Sequence, residues 1–520
     1  MLFRSVVAIT KSDLGDAERA KEEVREQIGD PTIPIALTSV RSGLGLEELK
    51  QILAEVSVRL PSPPDIGKPR LFVDRVFTVR GTGTVVTGTL TGGQLARGET
   101  VSLQPQNLRA RIRAIQRHNE PLEVALPGTR TALNLPDLRL DEIPRGSILT
   151  TVANTESSRT IDALIERSSR PGLSARPLKN GSVVQLHYGS ARFTARITLL
   201  DRRELLPGES AIARFRCTKP AFVFVGDRFV IRDSSARTTI AGGIVLNPEA
   251  ERTKFRSTAE RAFLEFRAAA PNDILTLLRS RLRRDKGARR ASLLVKSNFA
   301  EEAIASAIEH LVHEREAFVH GSIVADETWW RALRKRAIAA IEAEHAAHPE
   351  QAGLDLTALR ASLSLDDQEL HNALIADLCG NGFSCTQAAI RRQNHRPSLP
   401  ASLVEAGKKI RAALAARPFD PPSGKELITD IAAQKALRFL SETGEVIVIN
   451  EEVFLSGEAF AQMKSRLAHA LRTRGPSTVS ELRQALGTTR RVLVPLLERC
   501  DREGLTQRQG DRRSLRTAKS

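Results

Sequence analysis

The texture of apolar and polar positions changes twice along the chain. Up to residue 60, short apolar runs from Val6 to Ile9 and from Pro34 to Leu37 flank a polar break and a charged stretch from Asp16 to Gln27, and a second stretch follows from Gly45 to Val56. Short apolar runs between polar breaks predict strands and the longer stretches predict helices, so this part reads as α/β. From Arg70 to Asn247 the sequence breaks into short runs rich in valine, isoleucine and threonine, separated by turns such as Gly92-Gly93, Pro207-Gly208 and Gly226-Asp227. That spacing predicts β-barrels. Beyond Glu249 the texture becomes helical, rich in alanine, leucine, arginine and glutamate, with a weak repeat of about 65 residues.

Breakers mark the module borders. Pro61-Ser62-Pro63-Pro64 cannot extend a helix, because each proline lacks an amide hydrogen and fixes φ. A break from Thr151 to Thr160 splits the β region in two, and Pro248 ends it. The expected modules are an α/β segment at 1–60, β-barrels at 68–155 and 156–248, and four helical units at 250–325, 326–397, 398–460 and 461–520. The last unit is the clearest. Thr478-Val479-Ser480-Glu481 is a capping box, Gly487 ends a first helix, and Val492, Leu493, Leu496, Leu497 and Cys500 form the apolar stripe of a second, stopped by Gly504. Leu505 to Arg508 and Ser514 to Arg516 then predict a hairpin around Gln509-Gly510-Asp511. Helix, turn, helix and hairpin make a winged-helix pattern. Hairpins are also expected at Glu445 to Leu455, Gly382 to Ala388 and Phe318 to Val324.

Charge adds a partner class. The 520 residues hold 78 lysines and arginines against 61 aspartates and glutamates, a net charge of +17, which suits a polyanion. A basic run, Arg279, Arg281, Arg283, Arg284, Lys286, Arg289 and Arg290, is equally readable as an RNA contact or as a solvated helix end. Cys217, Cys379, Cys385 and Cys500 are too few and too irregular for a disulfide framework or a four-ligand zinc site, so no metal is expected and the thiols read as reduced. Met1 to Ser5 lacks the apolar core of a signal peptide and no stretch is long enough for a membrane span, which places the expected compartment in the cytoplasm and excludes a membrane partner.

Val6-Val7-Ala8-Ile9-Thr10-Lys11-Ser12-Asp13 resembles the guanine-recognition element of GTPases. There a carboxylate two residues past a lysine accepts two guanine hydrogens together, which adenine cannot supply, while the lysine methylenes lie along the purine face. Thr38-Ser39-Val40, further on, matches the loop whose backbone amide meets the guanine oxygen. Thr10, Lys11, Asp13 and Ser39 are therefore the expected guanine-binding residues. The Gly-x-x-x-x-Gly-Lys-Ser/Thr loop that cradles phosphates is not in the sequence, nor are the magnesium-binding segments, so GTP with magnesium is expected to bind weakly or not at all. Arg80-Gly81-Thr82-Gly83 does not replace it, because no helix begins after it; it reads as a hairpin turn.

The run from Phe72 to Gly88, FVDRVFTVRGTGTVVTG, closely resembles the second domain of translational GTPases. Gly226-Asp227-Arg228-Phe229-Val230-Ile231-Arg232-Asp233, with Thr238 to Gly243, resembles the end of their third domain. A helical, winged-helix extension beyond that point is similar to the selenocysteine-specific elongation factor family, and Thr10, where most GTPases carry asparagine, agrees with it. The resemblance implies a multidomain chain: a partial α/β GTPase domain lacking its front, two β-barrels, and tandem winged helices. Its implied partners are selenocysteyl-tRNA, a selenoprotein mRNA hairpin and the ribosome, with the chain acting as a monomer. It implies a selenocysteine pocket at Asp74, Arg75 and Arg130, with His118 a weaker candidate better read as a satisfied barrel histidine. It implies hairpin contacts from Arg490, Arg491, Arg508, Arg512 and Arg513. No catalytic residue is expected among the positions present, and Val6 to Ile9 is expected to form an unpaired, mobile sheet edge. Two other readings stay open: a winged-helix regulator of duplex DNA, and another translational GTPase relative without the basic pocket.

Overall fold

A computed structural model describes residues 5–28, 30–153, 155–169, 177–251 and 253–516, arranged as two compact units, Met1–Trp330 and Arg331–Ser520. In the first unit, strands Val7–Ile9 and Ile35–Leu37 pair in parallel and are each followed by a helix, Ala17–Ile28 and Leu46–Val58. A crossover helix between parallel neighbours is the ordinary α/β solution, and it brings the chain ends Thr10–Asp13 and Thr38–Ser39 to the same C-terminal edge.

The first β-domain is an eight-stranded sheet in which Arg70–Val79 pairs with Gly83–Thr91 on one side and Ile148–Thr150 on the other. Inward positions Leu71, Val73, Val86, Leu90, Leu103, Ile115 and Leu133 form its core. Arg80 to Gly83 makes the turn between its two longest strands, with Gly81 at φ 78° and the Thr82 amide donating to Val79 O at 3.0 Å. The second β-domain closes into a six-stranded barrel, Ser158–Arg167 lying between Ser210–Ala221 and Thr239–Asn247. Its outer face is covered by helix Thr258–Ala269, whose Phe263 and Leu264 pack with Leu200, Leu246 and Phe255. Arg214 and Asp162, cross-strand partners on that face, form a buried ion pair at 2.6 Å, and Arg214 also stacks over Phe255.

Every helical unit that follows repeats one plan. In the first, helix Ile274–Asp285, a short strand Gly287–Arg289, helix Glu301–His313 and hairpin Ala317–His320/Ile323–Asp326 form a three-stranded wing. Within the second unit the plan recurs with hairpins Phe383–Cys385/Ala389–Arg392, Val446–Val448/Phe454–Ser456 and Thr506–Gln509/Arg512–Leu515. Asp355, Asp367, Asp430, Ser456 and Thr478 cap their helices by accepting backbone amides. The capping box of Thr478 with Glu481 forms, and Gly487 ends that helix at φ 65°. The succession of β-domains and winged helices read from the texture is thus observed, with the second β-domain closed into a barrel and the first an eight-stranded sheet that does not close.

One buried network welds three modules of the first unit. Arg70, from the first β-domain, donates to both carboxylate oxygens of Asp227 (2.6 and 3.1 Å), to Tyr188 Oη at 2.8 Å and to Asn298 Oδ1 at 2.8 Å. Tyr188 Oη and Asn298 Nδ2 also donate to Asp227, which accepts the Phe224 amide as well. Tyr188 and Asp227 belong to the second barrel, and Asn298 to the first winged helix. Beside them Lys68, lowered by burial to about 8, donates to Leu294 O at 2.8 Å in that same winged helix. Because both charges of the Arg70–Asp227 pair are 7% exposed, removing one strands the other. Asp227→Ala is expected to cost about 3–5 kcal/mol in denaturant unfolding of the first unit. Glu123→Gln, at the exposed Arg97–Glu123 pair, is expected to cost under about 1 kcal/mol in the same measurement.

Candidate functional site

Three clusters matter, and each is set by a local backbone feature. At the α/β edge, Thr10, Lys11 and Asp13 are exposed on the loop leaving strand Val7–Ile9, with Lys11 at φ 57°. The Ser12 amide donates to Thr38 O at 3.1 Å and the Thr38 amide to Ile9 O at 2.8 Å, so the two loops lie side by side. Gly45 tightens the second: at φ 65°, a Cβ there would stand 1.9 Å from Leu37 O. Ser39 is 1% exposed and its amide donates to Leu44 O at 3.0 Å. That amide is therefore not free in this conformation, and a guanine oxygen would have to displace Leu44 O to use it. Asp13 carries no hydrogen-bond or ion-pair partner among the described residues. Val7–Ile9 is paired on one side by Ile35–Leu37.

On the first β-domain the strand register slips at Asp74: Val73 pairs with Gly88 and Arg75 with Thr87. A bulge places two consecutive side chains on one face, so Asp74 and Arg75 both leave the outer surface while Val73 and Val76 pack inward. Gly88 makes room for it, since a Cβ there would lie 2.2 Å from Phe72 O. Arg130 reaches across from strand Arg130–Asn134 and grips Asp74 with both terminal nitrogens, Nη2 at 3.0 Å from Oδ1 and Nη1 on Oδ2, while Thr87 Oγ1 donates to Oδ1 at 2.8 Å. Partial burial pushes the Asp74 carboxyl up, but hydrogen bonds from Arg130 and Thr87 and the charges of Arg130 and Arg75 outweigh it and hold the group below the usual carboxylate range. Arg75 is exposed and, among the described residues, unpaired. The cluster carries one net positive charge, with Asp74 fixing Arg130 and Arg75 without an acidic partner among the described residues.

His118 is not a barrel-wall residue. With Asn119 it forms the exposed turn between strands Ala114–Arg117 and Glu120–Leu122, at φ 52° and 67°. Tight hairpins need positive φ at both central residues, and that turn signal was present in the sequence. The basic run from Arg279 to Arg290 is largely consumed inside its own module: Arg279 pairs with Glu316, Arg281 and Arg284 with Asp285, and Arg283 stacks over Phe266.

In the last winged helix the five arginines separate into two groups. Arg490 is exposed at the start of helix Arg490–Arg502, and Arg508 and Arg512 are exposed on the wing, where they donate to Gly510 O and Pro476 O. Arg513 points the other way: 7% exposed, it pairs with Asp501 at 3.0 Å and ties the wing to the helix. Arg491 is half-buried and donates to Asp420 Oδ1 and Pro421 O, holding the helix start against the preceding winged helix. Strand alternation explains the Arg512–Arg513 split, because successive side chains face opposite sides. Among the described residues no cluster of His, Cys, Asp and Glu is disposed to hold a metal ion, and no helix is long and apolar enough to cross a membrane.

Comparison with known proteins agrees with this anatomy. A family model described as selenocysteine-specific elongation factor, beta-barrel domain, matches residues 166–252, and one described as elongation factor SelB, winged helix, matches 469–515. The selenocysteine-specific elongation factor of Desulfomicrobium baculatum is 29% identical over 538 residues, spanning 98% of this chain and 82% of that protein. That of Escherichia coli K12 is 25% identical over 525 residues, spanning 98% and 81%. A crystal structure of a bacterial selenocysteine-specific elongation factor shares the fold at a TM-score of 0.63 and 22% identity, covering 98% of this chain and 81% of that one. Matches to both a barrel and a winged-helix model on one chain, with relatives aligned across nearly all of it, make this chain similar to the selenocysteine-specific elongation factors over 98% of its length.

Proposed function

We propose that this chain delivers selenocysteyl-tRNA to the ribosome at a UGA codon, held there by a hairpin in the selenoprotein message. The observation that carries the reading is the cluster of Asp74, Arg75 and Arg130. A selenol is more acidic than a thiol and is an anion at neutral pH, whereas serine is neutral and cysteine mostly protonated, so a fixed positive cluster selects the selenium-bearing residue electrostatically. Arg130 is preset by its two-point grip on Asp74, which spares reorganisation when the anion arrives. Arg75 supplies the uncompensated charge. The guanine base belongs at Thr10, Lys11 and Asp13, with Ser39 engaged once its amide leaves Leu44 O. These residues fit the base, and their part is to bind and orient it. GTP with magnesium supplies the hydrolysable switch of such factors.

At the far end, Arg490, Arg508 and Arg512 present guanidinium groups to RNA phosphates and unstacked loop bases, a target that single-stranded loops offer and A-form stems hide. Arg491 and Arg513 hold that surface in place.

Two outcomes test the reading. Arg75→Ala or Arg130→Ala should lower the preference for selenocysteyl-tRNA over seryl-tRNA by about tenfold or more in equilibrium binding, the worth of one charge-assisted contact; equal affinities in the unsubstituted protein would sink it. In the winged helix, Arg490→Ala should weaken RNA-hairpin binding and reduce the slope of log affinity against log salt by about 0.7 to 1. Arg513→Ala should instead lower the melting temperature of the second unit, and tighter binding to duplex DNA than to the hairpin would favour a DNA-reading role.

A further inference from the structure

A threonine just before a helix ordinarily accepts an amide of the first turn, satisfying a donor that the helix leaves open. Thr478 does so ahead of Val479–Leu486, but Thr489, at the same place ahead of Arg490–Arg502, caps nothing. Its hydroxyl donates instead to Asp420 Oδ1 at 2.8 Å, in the Phe419-Asp420-Pro421 loop of the third winged helix. The helix is also weakened from within. Pro495 lies inside it, and because proline has no amide hydrogen, the bond to the Arg491 carbonyl four residues back is missing. The first turn, which carries Arg490, thus lacks a side-chain cap and one backbone bond to the rest of its helix.

What that turn lacks locally, the third winged helix supplies. The Thr488 hydroxyl donates to Phe419 O at 2.5 Å, Arg491 Nη2 to Asp420 Oδ1 at 3.3 Å and to Pro421 O, and Arg491 Nη1 to Glu452 O at 3.5 Å. Phe419 lies under the Arg466 guanidinium, 4.3 Å from its ring centre. It packs on a core that Ile449, Val453 and Leu455 of the third module share with Leu482, Val492 and Leu493 of the fourth. Thr488, Thr489 and Arg491 are therefore all tied to one loop, while Arg490 between them stays exposed.

We propose that Asp420 is a positioning residue for RNA recognition: through Thr489 and Arg491 it fixes the turn from which Arg490 reaches the hairpin, a role that rests on the reading of Arg490 as an RNA contact. Charge alone predicts the opposite sign. A carboxylate near a phosphate-binding surface repels RNA, so neutralising one that acted only by its charge would tighten binding. Truncating one that holds the helix start weakens it.

Full-length protein carrying Asp420→Ala or Asp420→Asn distinguishes the two, with equilibrium binding of the message hairpin and amide hydrogen exchange as readouts. Asp420→Ala should weaken hairpin binding about fivefold or more, the worth of one hydrogen bond or better. The amides of Val492 and Leu493, which both donate to Thr489 O, should exchange about fivefold faster, while those of Leu496 and Leu497 keep their protection. Asp420→Asn removes the charge but keeps the acceptor oxygen, so it should retain affinity within about twofold. Equal or tighter binding by Asp420→Ala, or faster exchange shared equally by Leu496 and Leu497, would overturn the proposal. Absence of hairpin binding by the unsubstituted protein would overturn the RNA reading itself, and is told apart because it precedes any substitution.

Discussion

The buried contact between Arg70 and Asp227 is the constraint on which the rest of the first unit depends. It gathers a strand of the first β-domain, the single tyrosine of the chain on the second barrel, and Asn298 of the first winged helix around one carboxylate. Arg70, Asp227 and Tyr188 are buried, and an ion pair under such conditions is favourable only when its remaining lone pairs are satisfied. Tyr188, Asn298 and the Phe224 amide satisfy them. The consequence is geometric: Arg70 lies at the start of the strand that carries Asp74 and Arg75, so the weld between modules also fixes the strand that presents the basic cluster.

That strand shows how a small irregularity produces chemistry. Regular alternation would have turned Arg75 to the inward face that Leu71 and Val73 occupy. The bulge at Asp74 shifts it outward beside Arg130, and Gly88 opposite leaves the space. Asp74 then serves as a hinge point for charge. It neutralises Arg130 while orienting it, and leaves Arg75 to set the sign of the surface.

Repetition serves a different end in the C-terminal half. Four modules share one plan, but their second helices differ in charge: Glu301, Glu302 and Glu309 mark the first, whereas Arg490 and Arg491 open the last. A repeated scaffold carries modules whose faces differ in charge, and the fourth exposes Arg490, Arg508 and Arg512.

Much of this was legible beforehand. Texture and breakers determine the order of modules, since strand and helix periods and proline chemistry are local; the hairpin at Gly81, the capping box at Thr478 and the stop at Gly487 are readable one residue at a time. The two loops at the α/β edge and the strand that carries Asp74 and Arg75 were legible as elements through their spacing. What each arginine does was not. Arg490 and Arg491 are neighbours in sequence, as are Arg512 and Arg513, yet one of each pair faces solvent and the other is spent on Asp420 or Asp501. The Arg70–Asp227 weld is not written in a local pattern. Sequence alone determined which elements form, because backbone propensity and turn chemistry act over a few residues; tertiary structure decided which charges are free, because burial and pairing depend on partners from distant parts of the chain.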